Sequence, residues 1–230
     1  MCKVLTLVLL VLLISCGKKN SRSGQNDPGA GPSELVTDGD YRSVLKTMNT
    51  TLKGHDAFGT AILKVSDGKF SIKLNLAHVP AGIKHIQSIH TEGKCPTITS
   101  DENGDSFIDI VEGMTAFGKV LIPLDGDLSA QLPGLNYFPK GNSSSAYSYA
   151  QETDLSALFS DLSSPDEDAA DSMAKLRPGE ALNFERRTLV ISGISANGEL
   201  PASVRTIGDF SGEAYIPVAC GEIVRIKKEE

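Results

Sequence analysis

The most constraining feature of this sequence is a pair of alternating segments joined by an Asp-Gly turn. Residues 61–65 (AILKV) and 70–76 (FSIKLNL) place an apolar side chain at every second position. Asp67-Gly68 lies between them and supplies the positive φ that a tight β-turn requires. Alternation with a period of two on both sides of such a turn predicts an antiparallel hairpin with one buried face. The chain is therefore expected to build a β-sheet that packs on a core.

Composition supports one loop-rich β domain. With 230 residues and 40% hydrophobic content, the chain can bury one sizeable core. Its 22 Gly, 11 Pro and absence of Trp, with only short apolar runs after residue 16, favour an all-β protein over a helical bundle. The formal charge of −7 argues against a nucleic-acid partner, because phosphate binding needs clustered Lys and Arg.

The start of the chain resembles the leader of a bacterial lipoprotein. A short basic lead (MCK) precedes an apolar run, Val4–Ile14, that is too short to span a bilayer. The run closes on L-I-S-C at residues 13–16, which resembles the lipobox, where cleavage before the cysteine leaves a lipidated N-terminus. We expect residues 1–15 to be a signal peptide and Cys16 to carry acyl chains. The alternative is an ordinary signal peptide with a chance cysteine.

The resemblance to lipoproteins also predicts a location. Gly17, rather than an aspartate, follows Cys16, which in lipoproteins resembles export onward to the outer membrane. We therefore expect a protein of the cell envelope, held to the lipid bilayer by the acyl chains of Cys16 on either face of the outer membrane. Residues 16–40 are polar and rich in Gly, Ser and Pro, so they are predicted to be a flexible tether before a domain at 41–230.

Two cysteines remain once the leader is assigned. Cys2 leaves with the signal peptide and Cys16 carries lipid, so Cys95 and Cys220 are left in an oxidising compartment. We expect them to form a disulfide. The bond would close a loop of 125 residues, for which the chain-entropy relation gives about 5 kcal/mol of stabilisation.

One segment resembles part of the active site of copper/zinc superoxide dismutases. Residues 88–95 read S-I-H-T-E-G-K-C, similar to the H-x-H-x-x-G-x-C segment that carries two copper ligands and one disulfide cysteine in that family. His90, Gly93 and Cys95 fall on the second ligand, the glycine and the cysteine. Ser88 stands where the first copper-ligating histidine is expected.

The end of the chain carries the same resemblance. Residues 187–192 (RTLVIS) are similar to the R-x-x-V-x-H strand that brings the last copper histidine, and residues 219–223 (ACGEI) to the A-C-G-x-I strand that closes the disulfide. Ser192 occupies the histidine position. Pro217 occupies the position of the arginine that guides superoxide.

The resemblance implies a fold more clearly than an activity. It implies a Greek-key β-sandwich or barrel of the superoxide-dismutase-like kind. The family's two-metal site uses six histidines and an aspartate, whereas this chain has four histidines in all, of which only His90 lies on a matched ligand position. Copper and zinc are therefore not expected as cofactors, and no catalytic residue is assigned. The chordin-like (CHRD) domains are an alternative family with a related sandwich.

Residues 101–112 have the layout of a calcium loop. Oxygen-bearing groups fall at positions 1, 3, 5, 7, 9 and 12 of a twelve-residue loop, and a hard cation prefers six to eight oxygens. The predicted ligands are Asp101, Asn103, Asp105, the carbonyl of Phe107, Asp109 and Glu112. Ser106 replaces the usual glycine at position six, and Gly113-Met114-Thr115 predicts no helix after Glu112. An acidic, solvated turn without an ion is the alternative.

The rest of the segment 97–186 is read as strands and short helices. Val120–Leu124 and Ala146–Gln151 are predicted strands, the first at an edge because of Pro123. Apolar residues at i, i+3, i+4 and i+7 predict an amphipathic helix over 154–162. Residues 164–167 (SPDE) predict the start of a second helix, with a capping residue, a proline and acids in the first turn.

These observations predict a membrane-anchored, non-catalytic superoxide-dismutase-like lipoprotein with calcium as its expected cofactor. One alternative is a periplasmic protein that binds copper or another metal through His85 and His90. Two histidines five apart do not project from one face of a strand. A second alternative is a divergent dismutase with residual metal-dependent activity. A third, a hydrolase, has no sequence signature of a nucleophile, a base and an orienting group. The sequence names no protein partner.

Overall fold

The structure, a computed structural model, describes residues 35–52, 56–130, 132, 134–164, 173–196 and 200–227. The predicted signal peptide, Cys16, most of the tether and the second predicted helix lie outside these residues. The described chain contains eight strands: β1 (Gly39–Thr47), β2 (Phe58–Ser66), β3 (Lys69–Ala77), β4 (Gln87–His90), β5 (Val120–Pro123), β6 (Ala146–Asp154), β7 (Thr188–Ser192) and β8 (Pro217–Arg225). It also contains the helices α1 (Ile110–Phe117), α2 (Leu155–Ser163) and α3 (Gly212–Tyr215).

The strands form one antiparallel sheet in the order β5-β4-β7-β8-β1-β2-β3-β6. β1, β2 and β3 are a simple meander. β7, by contrast, returns through a long connection to lie beside β4 instead of following β6, which is a Greek-key arrangement. The predicted all-β Greek-key class with a few short helices is confirmed.

Two hydrophobic clusters lie on opposite faces of the β4–β7–β8 part of the sheet. The main core combines inward side chains of β2 and β3, such as Leu63 and Phe70, with Ile89 of β4 and Leu189 of β7. A second cluster covers the outer face of the same strands, and it includes Phe117 of α1, Phe138 of the segment between β5 and β6, Val190 of β7 and Tyr215 of α3. Successive residues of β4 therefore face different clusters.

Most of the predicted elements are present. The hairpin β2–β3 has the predicted turn, with φ of 54° at Asp67 and 72° at Gly68. The strands predicted from residues 120 and 146 are β5 and β6, and the amphipathic helix predicted over 154–162 is α2 with its four apolar residues buried.

Two elements differ from the prediction. The expectation that no helix follows Glu112 is wrong, because α1 runs from Ile110 to Phe117. β1 was not predicted either: it begins at Gly39, and Val36 before it is only 7% exposed in the core. Val36 and β1 thus pack with the described domain, and the domain start at residue 41 stays a prediction.

The predicted disulfide is confirmed. Cys95, in the segment after β4, is bonded to Cys220 in β8, with their Cα atoms 5.8 Å apart. The bond links the segment that follows β4 to β8, the strand that lies between the β5-β4-β7 part and the β1-β2-β3-β6 part of the sheet. Within the described ranges, the helices are all too short or too polar to cross a membrane.

Candidate functional site

The site is a hydrogen-bonded serine and histidine on the outer face of β4. Ser88 and His90 are two residues apart on the strand and so share a face, while Ile89 between them points into the main core. His90 Nδ1 lies 3.0 Å from the carbonyl oxygen of Gly118, which can only accept, so Nδ1 carries the proton. The other ring nitrogen, Nε2, then accepts the hydroxyl of Ser88 at 2.9 Å.

His90 is enclosed by protein. Its side chain is 1% exposed, and the ring of Phe117 packs against it edge-on at 4.5 Å between centroids. Burial lowers the pKa of His90 to about 4, and the hydrogen bond to the Gly118 carbonyl only partly opposes this shift. The imidazole is therefore neutral at neutral pH, with both of its nitrogens in hydrogen bonds.

This arrangement does not fit a copper ion. A metal-ligating imidazole must offer a free nitrogen lone pair, whereas the Nε2 lone pair of His90 receives the Ser88 hydroxyl and Nδ1 holds a proton. Ser192 and Pro217, at the two other positions of the resemblance, face each other in the β7–β8 pairing and supply no imidazole or guanidinium. The hydroxyl of Ser88 and the imidazole of His90 thus satisfy each other.

His85 is placed apart from His90. It is fully buried and stacks on Tyr147, a main-core residue, at 5.6 Å between ring centroids, whereas His90 lies in the outer cluster against Phe117. Its two ring nitrogens lie 3.2 Å from the carbonyl oxygens of Ser192 and Pro80. The structure does not favour the alternative in which His85 and His90 share a metal.

The order serine, histidine, carbonyl is that of a nucleophile, a base and an orienting group. In a hydrolytic triad, however, the orienting group is a carboxylate that stabilises the imidazolium. Here it is the neutral carbonyl of Gly118, and the low pKa makes His90 a weak base near neutral pH. The chain of hydrogen bonds therefore satisfies buried polar groups and leaves Ser88 unactivated. Because this orienting group is the backbone carbonyl of Gly118 and not a side chain, it could not be predicted from the sequence.

An apolar cavity of about 310 Å³ opens beside Ser88. Its wall comes from β4, β5, the segment around residues 132–138 and the loop at 207–215. Its apolar lining includes Ile86, Val120, Phe138, Ile207, Phe210 and Tyr215. Its polar lining residues include Gln87, Ser88 and Asp209, and none of the described residues that line it is a lysine or arginine. The cavity has the size and lining of a small-molecule site.

The predicted calcium loop is a compact turn held by its own side chains. The carboxylate of Asp101 accepts hydrogen bonds from the backbone N–H of Gly104, Asp105 and Ser106, at 2.8, 3.2 and 2.8 Å. Asn103 Oδ1 accepts from the N–H of Asp105 at 2.9 Å. Ser106 has a φ of 71° at the position where a glycine is usual, so the sharp turn forms despite the substitution.

Asp105 continues this pattern toward the end of the loop. Its carboxylate accepts hydrogen bonds from the N–H of Phe107 at 2.8 Å and from the hydroxyl of Ser203 at 2.6 Å. Burial opposes the shift, but these hydrogen bonds lower the pKa of Asp105 overall. Asp105 is therefore ionised at neutral pH, as a calcium ligand must be.

The last two predicted ligands, Asp109 and Glu112, cap helix α1. Asp109 accepts the N–H of Glu112 at 2.8 Å, and Glu112 accepts the N–H of Asp109 at 3.0 Å, which is a capping box. Both residues are 1% exposed. Arg205 compensates their charge, with Nε 3.0 Å from Asp109 and Nη2 3.2 Å from Glu112.

The loop thus brings the six predicted ligand residues into one region of the chain. Glu112 Oε1 also accepts from the N–H groups of Glu102 and Asn103, at 3.2 and 3.4 Å, so helix α1 begins against the loop. Across the described ranges, no group of three or more His, Cys, Asp and Glu side chains has the spacing to hold a metal. Calcium binding by the loop stays a prediction.

The fold and the site define a disulfide-bonded, all-β Greek-key domain with a Ser–His pair beside an apolar cavity. No known family model matches the chain, and no curated protein matches it. It is similar to a solved structure of a double mutant of a superoxide-dismutase-like protein from Bacillus subtilis, at 14% identity and a TM-score of 0.39. That match covers 79% of this chain and 95% of the other. It assigns no activity to this chain.

Proposed function

We propose that this chain is a membrane-anchored, non-catalytic superoxide-dismutase-like lipoprotein of the outer membrane that binds a small apolar molecule beside Ser88. The observation that carries the proposal is the closed hydrogen-bond chain from Ser88 through His90 to Gly118. It uses both imidazole nitrogens next to a cavity with apolar walls. A calcium ion in the loop 101–112 is a stabilising cofactor in the same proposal.

The polar groups of the cavity select the ligand class. The Ser88 hydroxyl donates a hydrogen bond to His90 Nε2, so toward a ligand its oxygen can only accept, and the carboxylate of Asp209 is another acceptor. With no lysine or arginine among the described lining residues, an anion such as superoxide gains nothing there. The favoured ligand has an apolar body and one N–H or O–H donor.

Ligand binding is tested with N-phenyl-1-naphthylamine, a neutral fluorophore with an apolar body and one N–H. We expect saturable binding to the full chain. Phe210→Ser removes a cavity wall and should weaken binding about tenfold, because burying an aromatic ring contributes about 1.5–3 kcal/mol. The control Ile98→Ser removes an exposed apolar side chain that does not line the cavity, and it should leave the affinity unchanged. Equal affinities for the two variants would overturn the cavity assignment.

The absence of dismutase activity is tested on the full chain supplied with copper and zinc. We expect superoxide to be consumed no faster than by the same free copper in buffer. A faster rate that His90→Ala abolishes would show a working metal site and would refute the proposal.

The anchor is tested separately in cells. We expect Cys16→Ser to release the protein from the membrane fraction, because the acyl chains on Cys16 are the proposed attachment. Recovery of the variant in membranes after a carbonate wash would contradict lipid anchoring and would leave the cavity proposal untouched.

A further inference from the structure

The outer face of strands β8, β1 and β2 exposes an apolar patch. Arg42 of β1 pairs with Ile62 of β2 on one side and with Val224 of β8 on the other, so these three side chains form one row across the sheet. Ile62 is 40% exposed and Val224 is 49% exposed. The next outward residue of β1, Val44, is 48% exposed.

The patch is concentrated on this face. Seven large hydrophobic side chains are exposed in the described residues. Five of them lie on or at the ends of these three strands: Val44, Phe58, Ile62, Val224 and Ile226. Single exposed apolar residues are normal on any protein, but a contiguous set marks a contact surface. This face of the sheet is therefore a candidate interface.

Basic side chains are interleaved with the apolar ones. Arg42, Lys46, Lys64 and Lys73 all point outward on β1, β2 and β3, and none of them forms an ion pair with another described residue. The acids of the patch are Asp38, Asp40 and Glu222, and Glu222 lies 3.7 Å from Lys94. They are outnumbered by the basic residues Arg42, Lys46, Lys64, Arg225 and Lys227, so the patch is net positive on a chain whose formal charge is −7.

Two shallow concavities on this face have more basic than acidic residues in their walls. One, of about 420 Å³, is lined by Arg42, Lys46 and Glu222 beside the disulfide. The other, of about 520 Å³, is lined by Lys64, Arg225 and Lys227 together with Asp38 and Asp40. Each has room for a phosphate group between cationic side chains, with exposed apolar residues between the two.

We propose that this cationic and apolar face docks on an anionic phospholipid bilayer. Basic residues near such a surface gain electrostatic attraction, and exposed apolar side chains can enter the headgroup boundary. A second copy of the chain is a poorer occupant, because pairing the face with itself would set its basic rows against each other. An acidic protein would also match the positive charge of the face. It would not explain why the chain enters the domain at the rim of this face, as a membrane anchor does.

The chain enters the domain at the rim of this face. β1 begins at Gly39, which lines the concavity of Lys64 and Arg225. The segment from Cys16 to Leu35 can extend at most roughly 65 Å, so an anchored chain keeps this rim within that distance of the membrane and lets the face reach it. The biological meaning of the contact rests on the proposed anchor, but the contact itself is testable without acyl chains.

The test uses the full chain with Cys16→Ser, so that no acyl chain is attached. Binding is measured by co-sedimentation with phosphatidylcholine vesicles, with and without about one-third phosphatidylglycerol. We expect binding to need phosphatidylglycerol and to weaken with added salt. Arg42→Glu with Lys46→Glu should weaken it at least tenfold, because each basic residue contributes about 1 kcal/mol. The apolar run 4–14 is the same in all variants and cannot produce the difference.

Matched controls separate this face from general charge. Lys119→Glu with Lys140→Glu makes the same change in net charge on exposed lysines elsewhere and should leave binding within about twofold. Val44→Thr with Val224→Thr should weaken binding, whereas Ile98→Thr should not. Equal losses in the test and control pairs would overturn the proposal. So would a concentration-dependent dimer that the Arg42 and Lys46 variant dissociates, since the face would then bind a second copy.

Discussion

The guanidinium of Arg205 lies 3.2 Å from the buried carboxylate of Glu112, the residue at position twelve of the predicted calcium loop. The same guanidinium is bonded to Asp109. Two of the six predicted calcium ligands therefore already have a cation. A calcium ion that uses these carboxylates must displace Arg205, so the arginine is a competitor built into the chain.

Replacing Arg205 should make the loop more dependent on calcium. Arg205→Gln leaves two buried carboxylates without their cation, so we expect the calcium-free variant to lose about 2 kcal/mol of unfolding free energy. Millimolar calcium should restore it, and it should raise the melting temperature more in the variant than in the parent. Thermal unfolding in chelator and in calcium measures both effects. An identical response of parent and variant to calcium would contradict binding through Asp109 and Glu112.

Ser106→Gly should stabilise the domain. Ser106 has a φ of 71°, a left-handed conformation that is unfavourable for a serine by about 1 kcal/mol and free of strain for glycine. Glycine also loses more conformational freedom on folding, so the net gain should be about 0.5 kcal/mol. Urea unfolding of the variant and the parent measures it. A loss of stability would show that the serine hydroxyl makes a contact of greater value than the strain.

Removing the disulfide should reduce stability strongly. Cys95→Ala with Cys220→Ala opens a loop of 125 residues, for which we expect a loss of about 5 kcal/mol. That loss is comparable to the whole net stability of an ordinary domain, so the variant should be largely unfolded near 37 °C. Circular dichroism with denaturant titration checks this. Alkylation of Cys95 and Cys220 themselves in the folded, unreduced parent would refute the premise.

His90 should make the protein sensitive to mild acid. Its pKa is about 4 in the folded state against 6.5 in the unfolded state, so the unfolded chain binds more protons between these values. The contribution of the neutral, buried His90 to the free energy of unfolding is complete above pH 6.5 and is lost as the pH falls toward 4. The shift corresponds to about 3 kcal/mol. Unfolding free energies at pH 7 and pH 4.5 should differ by less in His90→Gln. An equal pH dependence in both proteins would place the acid sensitivity elsewhere.

The sequence predicted the elements whose apolar pattern matches their burial. It failed for β1, where the inward row contains Ser43, which is 0% exposed, while Val44 points outward at 48%. A strand with a polar residue inside and an apolar residue outside inverts the usual pattern of hydrophobic burial. The alternation of β1 could therefore not be recognised from the sequence. The strand is fixed by pairing with β2 and β8 on its two sides, which are contacts distant in sequence.

Helix α1 was missed for a different reason. Gly113 lowers helix propensity, but a Cβ at this position would lie 2.4 Å from the ring of Phe117, so the helix needs the glycine in order to pack its own aromatic residue. The capping box Asp109-x-x-Glu112 was a usable signal. The same two acids were interpreted as calcium ligands, so they were not recognised as the start of a helix.

The position of β8 has a consequence for how the protein is made. In the described sheet, β8 lies between β7 and β1 and joins the three-stranded half β5-β4-β7 to the four-stranded half β1-β2-β3-β6. Because β8 leaves the ribosome after the other seven strands of the described sheet, the two halves cannot be joined through it until it has been synthesised. Until then, the edges of β7 and β1 that pair with β8 stay open to misassembly.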